Sequence, residues 1–288
     1  MKTNVSQETK LKLVGLHENM PNEEYHVGTP GYSSSDLVAM SEGFDVWKWR
    51  QSVPREQTDA MALGSATHLL LEARIKDDAK LAQAGIAIMP DLNMRTNDGK
   101  AAYKVFVEEN KGKLVLSAED YDMARRMVDA VMLEPEVAGY FRGGISEPSI
   151  FVDDAETGLL LKCRPDYLRP AEGLSINFKT MRADMTFERQ AATLAYDWAS
   201  SFYCDVLRQH FGRNFDEIHV SVVKAKEGPC RVHVHTIDDE DLQNARAQWR
   251  ALLAKIPECE RTNCWPAPPA TLTAIRIPNY SRRICPYV

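Results

Sequence analysis

Residues 159–179 read LLLKCRPDYLRPAEGLSINFK, and this stretch decides the fold. It contains two short apolar runs, one at 159–163 and one at 174–178. The link between them carries Pro165, Pro170 and Gly173, which are residue types that favour turns. The pattern therefore predicts two strands joined by a tight connection.

Three polar residues stand at the ends of these runs. Asp166 follows the first run, and Asn177 and Lys179 lie two residues apart in the second, so they project from one face of a strand. Carboxylate and amide oxygens suit a hard cation such as Mg²⁺, and a lysine beside them can orient water or neutralise a phosphate. The stretch is a candidate metal site for phosphodiester chemistry. A surface hairpin with solvated charges fits the same short and common spacing.

The composition is ordinary for a soluble globular protein. The 288 residues allow one large domain or two small ones, with 44% hydrophobic and 26% charged residues. No apolar stretch is long enough to span a membrane, and the N-terminus MKTNVSQETKLKLV does not look like a signal peptide, so we expect a cytoplasmic protein with no membrane partner. The net charge of −6 gives no support to nucleic-acid binding, although a local basic groove matters more than the total.

The six cysteines do not indicate a disulfide framework in a chain of this length. Cys259, Cys264 and Cys285 cluster late in the sequence, but their spacing matches no standard zinc or iron–sulfur pattern. We therefore interpret them as free thiols.

The order of segments predicts one α/β domain. Residues 1–24 are polar and predict a loose N-terminal arm, and residues 25–288 form the domain, with a helical first part and an irregular proline-rich tail. Apolar periodicity predicts helices at 61–74, 117–132, 185–211 and 238–256. Strands are predicted at 145–152, 218–224 and 231–237, besides the two runs of the central stretch.

Several histidines and basic residues have two interpretations. His68 lies among leucines in the helix at 61–74, which is typical of a core histidine. We interpret His219, His233 and His235 as exposed strand residues, because no acidic partner is evident. Arg95 and Lys100 can contact phosphates, but a solvated helix face explains them as well.

Seven collinear blocks resemble the nuclease domain of exonuclease VIII (RecE-type), in the RecB-like branch of the PD-(D/E)XK nucleases. The blocks extend from about residue 25 to residue 280, in the order found in that family. They are YHVGTPGYSSSDL, WKWR, LGSATH, RTNDGKAAYKVF, SEPSIFVDDAETGLLLKCRPDYL, INFKT and the WP…IP of the tail. The resemblance implies a PD-(D/E)XK (restriction-endonuclease-like) core, with a mixed central sheet flanked by helices. We expect strands near 147–152, 159–165 and 174–179 in that sheet, next to the helices at 61–74 and 185–211.

The resemblance also implies roles for individual residues. It places His68, Asp166 and Asn177 at a metal, and it makes Lys179 the catalytic lysine beside Asp166. Glu147 matches a recurrent family glutamate and joins the catalytic group. We assign DNA contacts to Arg95, Lys100, Arg164 and Tyr203.

The activity implied by the resemblance is digestion of linear double-stranded DNA from its ends, 5′ to 3′, with Mg²⁺ or Mn²⁺. The implied setting is phage-type recombination. The expected partners are double-stranded DNA ends, a single-strand annealing protein, and further copies of the chain in a ring-shaped homo-oligomer.

Two positions depart from the family pattern. Asn177 stands where the family has Asp in Asp-x-Lys, and Ala199 stands where it has Gln in Gln-x-x-x-Tyr. Asn keeps one carbonyl oxygen but loses a negative charge, so we expect weaker metal binding and slow or absent cleavage, which Asn177→Asp would restore. Two alternatives remain open: a disabled DNA-end-binding or regulatory protein, and a RecB-like nuclease acting on single strands or flaps.

Overall fold

A computed structural model describes residues 5–53, 58–272 and 276. Cys285 and the Ile277–Pro278 part of the tail lie outside the described residues. Cys259 and Cys264 are free thiols, as predicted.

The helices and strands alternate along the chain. The helices are α1 (Gln7–Leu13), α2 (Ser34–Glu42), α3 (Phe44–Arg50), α4 (Asp59–Ile75), α5 (Ala79–Gly85), α6 (Asn97–Glu109), α7 (Ala118–Leu133), α8 (Pro135–Tyr140), α9 (Phe187–Leu194), α10 (Tyr196–Phe211), α11 (Asp239–Leu253) and α12 (Ile256–Thr262). The strands are β1 (Gly15–His17), β2 (Ile86–Ile88), β3 (Leu114–Leu116), β4 (Ile145–Ser146), β5 (Ser149–Asp153), β6 (Leu160–Cys163), β7 (Tyr167–Arg169), β8 (Leu174–Met181), β9 (Asp216–Val223) and β10 (Arg231–His235).

Among the described residues, the strands divide into three sheets. A mixed five-stranded sheet has the order β10-β9-β8-β7-β4, in which only β8 and β9 are parallel. A three-stranded antiparallel sheet has the order β1-β5-β6, and β2 pairs with β3 in parallel. The parallel β8–β9 pair requires a crossover, which α9 and α10 supply. This mixed sheet flanked by helices confirms the predicted fold class.

Two neighbouring strands change sheet at the same level. The chain passes from β4 to β5 through Glu147 and Pro148, and from β6 to β7 through Arg164, Pro165 and Asp166. Each proline lacks the N–H that a continuous ladder would need, so both strands bend there. The backbone N–H of Glu147 still donates to the carbonyl of Asp166, at 3.0 Å, and holds the two bends together.

The division into sheets corrects two predictions. The strands predicted near 147–152 and 159–165 lie in the three-stranded sheet, apart from the strand at 174–179. The two runs of the central stretch also do not pair directly, because β7 lies between them and pairs with β8, Tyr167 opposite Ile176. Pro165 and Pro170 made this segment look like one long turn, although Tyr167 and Leu168 are buried strand residues.

The helix predicted at 185–211 is two helices. Ala195 has φ +51° and separates α9 from α10, so the chain turns there without a glycine. The other predicted helices are confirmed within a few residues. The break lets α9 cover the end of the five-stranded sheet near Met181, while α10 packs against β5 and β6 of the three-stranded sheet and also contacts β9.

The segment predicted as a loose arm carries regular structure from residue 7 onward. α1 begins at Gln7 with Ser6 as its cap, and β1 pairs with β5, Gly15 opposite Phe151. The pairing satisfies backbone groups along the β5 edge, which the polar composition of the segment did not reveal.

Two hydrophobic cores hold the layers together. The first lies between the three-stranded sheet and α2, α3, α10 and α11, and includes Tyr32, Trp47 and Trp249. The second lies between the five-stranded sheet and α4 and α7, and includes Phe178 and Met127. Within the described ranges, no helix is long and apolar enough to cross a membrane.

Asp36 joins a helix cap to the first core. Its carboxylate accepts hydrogen bonds from the Ser33 N–H (2.9 Å), the Ser33 hydroxyl (2.6 Å) and the buried indole N–H of Trp47 (2.9 Å). Asp36→Ala removes the capping box and leaves the indole N–H without this partner, so we expect a loss of roughly 2–4 kcal/mol in the free energy of unfolding. Urea denaturation measures this change.

The matched control is Asp120→Ala, which removes a similar capping carboxylate bonded to Ser117 (2.8 Å) at the partly exposed start of α7. We expect a loss of at most about 1 kcal/mol there. Equal losses in the two variants would contradict the role of the buried Trp47 contact.

Candidate active site

Asp166 lies at the bend between β6 and β7, where β8 continues beyond its last pairing with β7. One carboxylate oxygen, Oδ2, accepts the backbone N–H of Phe178 at 2.6 Å and lies 3.4 Å from the ammonium Nζ of Lys179. Burial alone would raise the pKa of Asp166, but the Lys179 charge and the Phe178 N–H outweigh it and hold the pKa below its usual range. Asp166 is therefore ionised at neutral pH.

His68 reaches the same carboxylate from α4. Its Nδ1 lies 3.7 Å from Oδ1 of Asp166, and its ring meets the ring of Phe178 edge-on, with centroids 5.2 Å apart. Burial lowers the pKa of His68, more than the Asp166 charge raises it, so the ring is neutral at pH 7 and has a nitrogen lone pair to offer a cation. The histidine thus packs against the core and faces the candidate site.

Lys179 approaches Asp166 from the opposite face of β8. Burial would lower its pKa, but the Asp166 charge raises it above its usual range, so the side chain stays protonated. Its Nζ also lies 5.6 Å from the ring centroid of Tyr196 at the start of α10. Asp166 is thus contacted from both faces of the sheet.

Glu147 occupies the other bend. Its φ of +46° is unusual for a residue with a side chain, and such backbone strain is concentrated at functional sites. Burial, the Asp166 charge and the Glu72 charge together raise its pKa to about 7. Sequence reasoning missed Glu72, although it lies one helical turn after His68 on α4 and so shares its face.

A small cavity lies between α4 and the two bends. His68, Glu72, Glu147 and Asp166 line it together with apolar residues, and its volume of about 20 Å³ is enough for one water molecule or ion. A wider cleft of about 260 Å³ opens on the other side of Glu147 and Asp166 and is lined by Arg164, Tyr203 and residues of the 22–35 segment.

Asn177 does not line either of these two spaces. Its side-chain amide donates to Oε1 of Glu217 on β9 at 2.9 Å. Glu217 also accepts the Ser175 hydroxyl at 3.1 Å. The structure therefore brings His68, Glu147, Asp166 and Lys179 together, and it directs the amide of Asn177 toward a carboxylate that the sequence analysis did not single out.

His219 belongs to the same polar layer. It is 1% exposed, which corrects the prediction of an exposed strand residue; its Nε2 lies 2.8 Å from the Ser200 hydroxyl, and its ring stacks on Tyr196. Burial lowers its pKa to about 3, so it is neutral. His233 is exposed as predicted, whereas His235 is half-buried and stacks on Phe187.

A signal for this layer was present in the sequence. Glu217, His219 and Ser221 alternate with apolar residues, so they share one face of β9. The predicted strand began at residue 218, which left Glu217 outside the pattern. The register that pairs Ser175 with Glu217 depends on the crossover, and local sequence does not specify it.

Comparison with known proteins identifies a family for this chain. A family model described as "PDDEXK-like domain of unknown function (DUF3799)" matches residues 37–276. The chain belongs to this PDDEXK-like family. The broader prediction of a PD-(D/E)XK protein is confirmed, and the narrower resemblance to exonuclease VIII stays a prediction.

One solved structure supports the fold of this PDDEXK-like chain. A crystal structure from Eubacterium rectale, described as a "Putative exonuclease", is 14% identical, covers 93% of this chain and 100% of its own, and has a TM-score of 0.60. A second structure, SSO0001, is 11% identical over 75% of this chain and 81% of its own, but its TM-score of 0.28 carries no argument. No curated protein matches the sequence.

The predicted DNA-binding residues of this PDDEXK-like domain fall into two groups. Arg164 and Tyr203 line the wider cleft, but Arg164 also donates to Ser149 (2.9 Å from Nε) and packs on the ring of Tyr25, so it braces the N-terminal segment. Arg95 and Lys100 are exposed, at the start of α6, and they line neither the cleft nor the small cavity.

The donor set fits a divalent cation of the Mg²⁺ type. In the described part of the chain no three His, Cys, Asp or Glu side chains are already grouped as a complete metal site. Mg²⁺ usually takes only one or two carboxylates from a protein and keeps water or phosphate oxygens in its other positions. Asp166, with Glu147 and neutral His68 beside it, supplies such a partial set, and the crowded carboxylates favour a cation.

The variant Glu147→Gln tests, in the metal-free protein, the crowding of Glu147 against the carboxylates of Asp166 and Glu72. The pKa of Glu147 is about 7 in the folded protein against an ordinary 4.5, so folding retains a proton that the unfolded chain releases. That contribution to stability is fully present below pH 4.5 and is lost as the pH rises to 7. Gln does not ionise, so we expect the variant to gain roughly 1–3 kcal/mol over the natural chain between pH 5 and pH 8.

The measurement is urea denaturation at pH 5 and pH 8, with exposed Glu109→Gln as the control. A stability difference between Glu147→Gln and the natural chain that stays constant across this range would contradict the crowding.

Proposed function

We propose that the protein is a metal-dependent nuclease that hydrolyses DNA phosphodiester bonds. One observation carries the proposal: His68 of α4, Asp166 of the bend and Lys179 of β8 converge within 4 Å contacts, although they come from distant parts of the sequence. Buried, oppositely charged groups in a cleft are typical of functional sites. Membership of the PDDEXK-like family adds independent support.

The residues divide the chemistry between them. Asp166 and His68 would hold a Mg²⁺ or Mn²⁺ ion, with Glu147 at the edge of the same cavity. The ion, when bound, neutralises the phosphate and activates water for hydrolysis. Lys179 keeps its positive charge beside Asp166, where it orients the attacking water or steadies a phosphate oxygen. Asn177 has its amide turned to Glu217, so we propose that it acts on the site through that carboxylate.

We further propose that the substrate is the end of linear double-stranded DNA, degraded 5′ to 3′. The resemblance to exonuclease VIII supports this, and so does the description of the Eubacterium rectale relative as an exonuclease. The same resemblance supports action in the cytoplasm in phage-type recombination, with a single-strand annealing protein as partner and a ring-shaped homo-oligomer as the assembly.

A second candidate is a protein that binds DNA ends without cutting them. Asn177 and Ala199 favour it, because they stand where the pattern of the exonuclease VIII resemblance has Asp and Gln. Retention of His68, Asp166 and Lys179 in contact favours the nuclease.

The first test is digestion of linear duplex DNA, labelled at the 5′ or the 3′ end, with Mg²⁺ or Mn²⁺. We expect end-dependent release of label, and no digestion of closed circular DNA. Lys179→Met and Asp166→Asn should each lower the rate at least about 100-fold, because each removes a charge that stabilises the transition state. Exposed Lys111→Met is the matched control.

Two results decide between the candidates. Loss of activity in Lys179→Met but not in Lys111→Met supports the nuclease. Specific binding to DNA ends with no digestion by the natural chain under either metal would replace the nuclease with the end-binding protein.

A separate prediction concerns Arg95 and Lys100. If both contact phosphates, the double substitution to Ala should flatten the slope of log Kd against log salt concentration by about 2, since each contact contributes about one unit. The measurement uses the Lys179→Met background, which keeps the DNA intact. A Lys12→Ala, Arg261→Ala double variant controls for lost surface charge; an unchanged slope in the Arg95, Lys100 variant would place α6 away from DNA.

A further inference from the structure

Glu217 is buried and accepts hydrogen bonds from two side chains of β8. The Ser175 hydroxyl and the Asn177 amide both donate to its carboxylate, and the residue is 8% exposed. Burial raises the pKa of Glu217 to about 7, and the two donors and the Lys179 charge oppose that rise, so the carboxylate is mostly ionised at pH 8. The Nε2 of His219 lies 3.7 Å from the same carboxylate and 2.8 Å from the Ser200 hydroxyl, so the polar layer continues to α10.

Asn177 and Glu217 form one unit on adjacent strands. β8 and β9 run parallel, and the contact of 2.9 Å between the two side chains lies on the face that also carries Lys179. The charges of Glu217 and Lys179 lie close enough to act on each other. The amide at 177 and the acid at 217 together keep one carboxylate on this face.

We propose that Glu217 supplies the negative charge that position 177 lacks, so that the second acid of the site has been relocated from β8 to β9. The inference rests on the proposed metal-dependent function. Glu217 acts as a positioning residue: it keeps the ammonium of Lys179 in place through their opposite charges and adds to the negative potential that attracts the cation. Asn177 holds the relocated carboxylate by donating to it.

The relocation reverses the simplest expectation about repairing the site. Asn177→Asp alone places two carboxylates in contact, whereas in the natural chain an amide donates to a carboxylate. Two carboxylates at that distance cannot both ionise in a buried place, because their charges repel. The exchange that preserves the charge is Asn177→Asp together with Glu217→Gln, because it returns the acid to β8 and the amide to β9.

The test measures Mn²⁺ affinity by calorimetry at pH 8 in the natural chain, Glu217→Gln, Asn177→Asp and the double variant. We expect Glu217→Gln to weaken Mn²⁺ binding roughly 5- to 30-fold, as expected for loss of one nearby charge, and the double variant to bind within about twofold of the natural chain. Thermal unfolding should show Asn177→Asp as costly in the natural background and nearly neutral in the Glu217→Gln background.

Ser175→Ala is the matched control, because it removes one donor to Glu217 and keeps the charge. A purely structural network predicts lower stability in Ser175→Ala and Glu217→Gln alike, with unchanged Mn²⁺ affinity in both, and that result overturns the proposal. A double variant that binds more than about tenfold tighter than the natural chain also overturns it, because the charge was then missing and not relocated. This second comparison holds even if Glu217→Gln alone fails to fold.

The outcome separates this inference from the nuclease proposal. If Mn²⁺ affinity depends on Glu217 as predicted but neither the natural chain nor the double variant digests DNA, the relocation is supported and the nuclease proposal is refuted. Digestion that leaves Mn²⁺ affinity independent of Glu217 refutes the relocation and supports the nuclease. Absence of Mn²⁺ binding in the natural chain overturns both.

Discussion

The bond from the backbone N–H of Phe178 to the carboxylate of Asp166 is the contact on which the site depends. It forms where β7 has bent away from β8, so a side chain takes over the role of a strand partner. One oxygen of the carboxylate is thereby fixed to the central strand, and the other faces His68 on α4. A buried carboxylate is costly unless it is paired and hydrogen bonded, and here both conditions are met.

The same constraint explains why the two sheets meet at the site. Pro148 and Pro165 interrupt two adjacent strands at the same level, and the bond from Glu147 to the Asp166 carbonyl fixes the gap between them. The side chains of Glu147 and Asp166, at the two bends, then lie in an opening between the strands. A residue on the surface of a continuous sheet could not reach that position. On the far side, Ser200 of α10 hydrogen bonds to His219, and Ser175 and Asn177 of β8 hydrogen bond to Glu217. These bonds offset the cost of burying the two polar side chains.

Much of this arrangement could be predicted from the sequence. The apolar runs located β6 and β8, helical periodicity located α4 and α7, and the collinear blocks identified His68, Asp166 and Lys179 before their contacts were known. The errors have a common physical origin in long-range pairing. The short strand β7 is recognisable from its pairing with β8, and the division into two sheets depends on the two separated bends. The position of Glu217 depends on the register between β8 and β9, which the crossover sets. Ala195, with a left-handed conformation and an ordinary side chain, gave no local sign of the helix break.

The borders of the sheets have a consequence for how a second molecule could add a strand. β1 is one border strand of the three-stranded sheet, and Tyr32 bonds to Leu160 and Lys162 along the other border strand, β6. Within residues 5–53 and 58–272, part of the β6 border is therefore occupied, and a second molecule cannot add a strand there without first displacing Tyr32. β10 is a border strand of the larger sheet, and its residues Arg231 and His233 are exposed. A second molecule that added a strand along β10 would continue the twist of the five-stranded sheet.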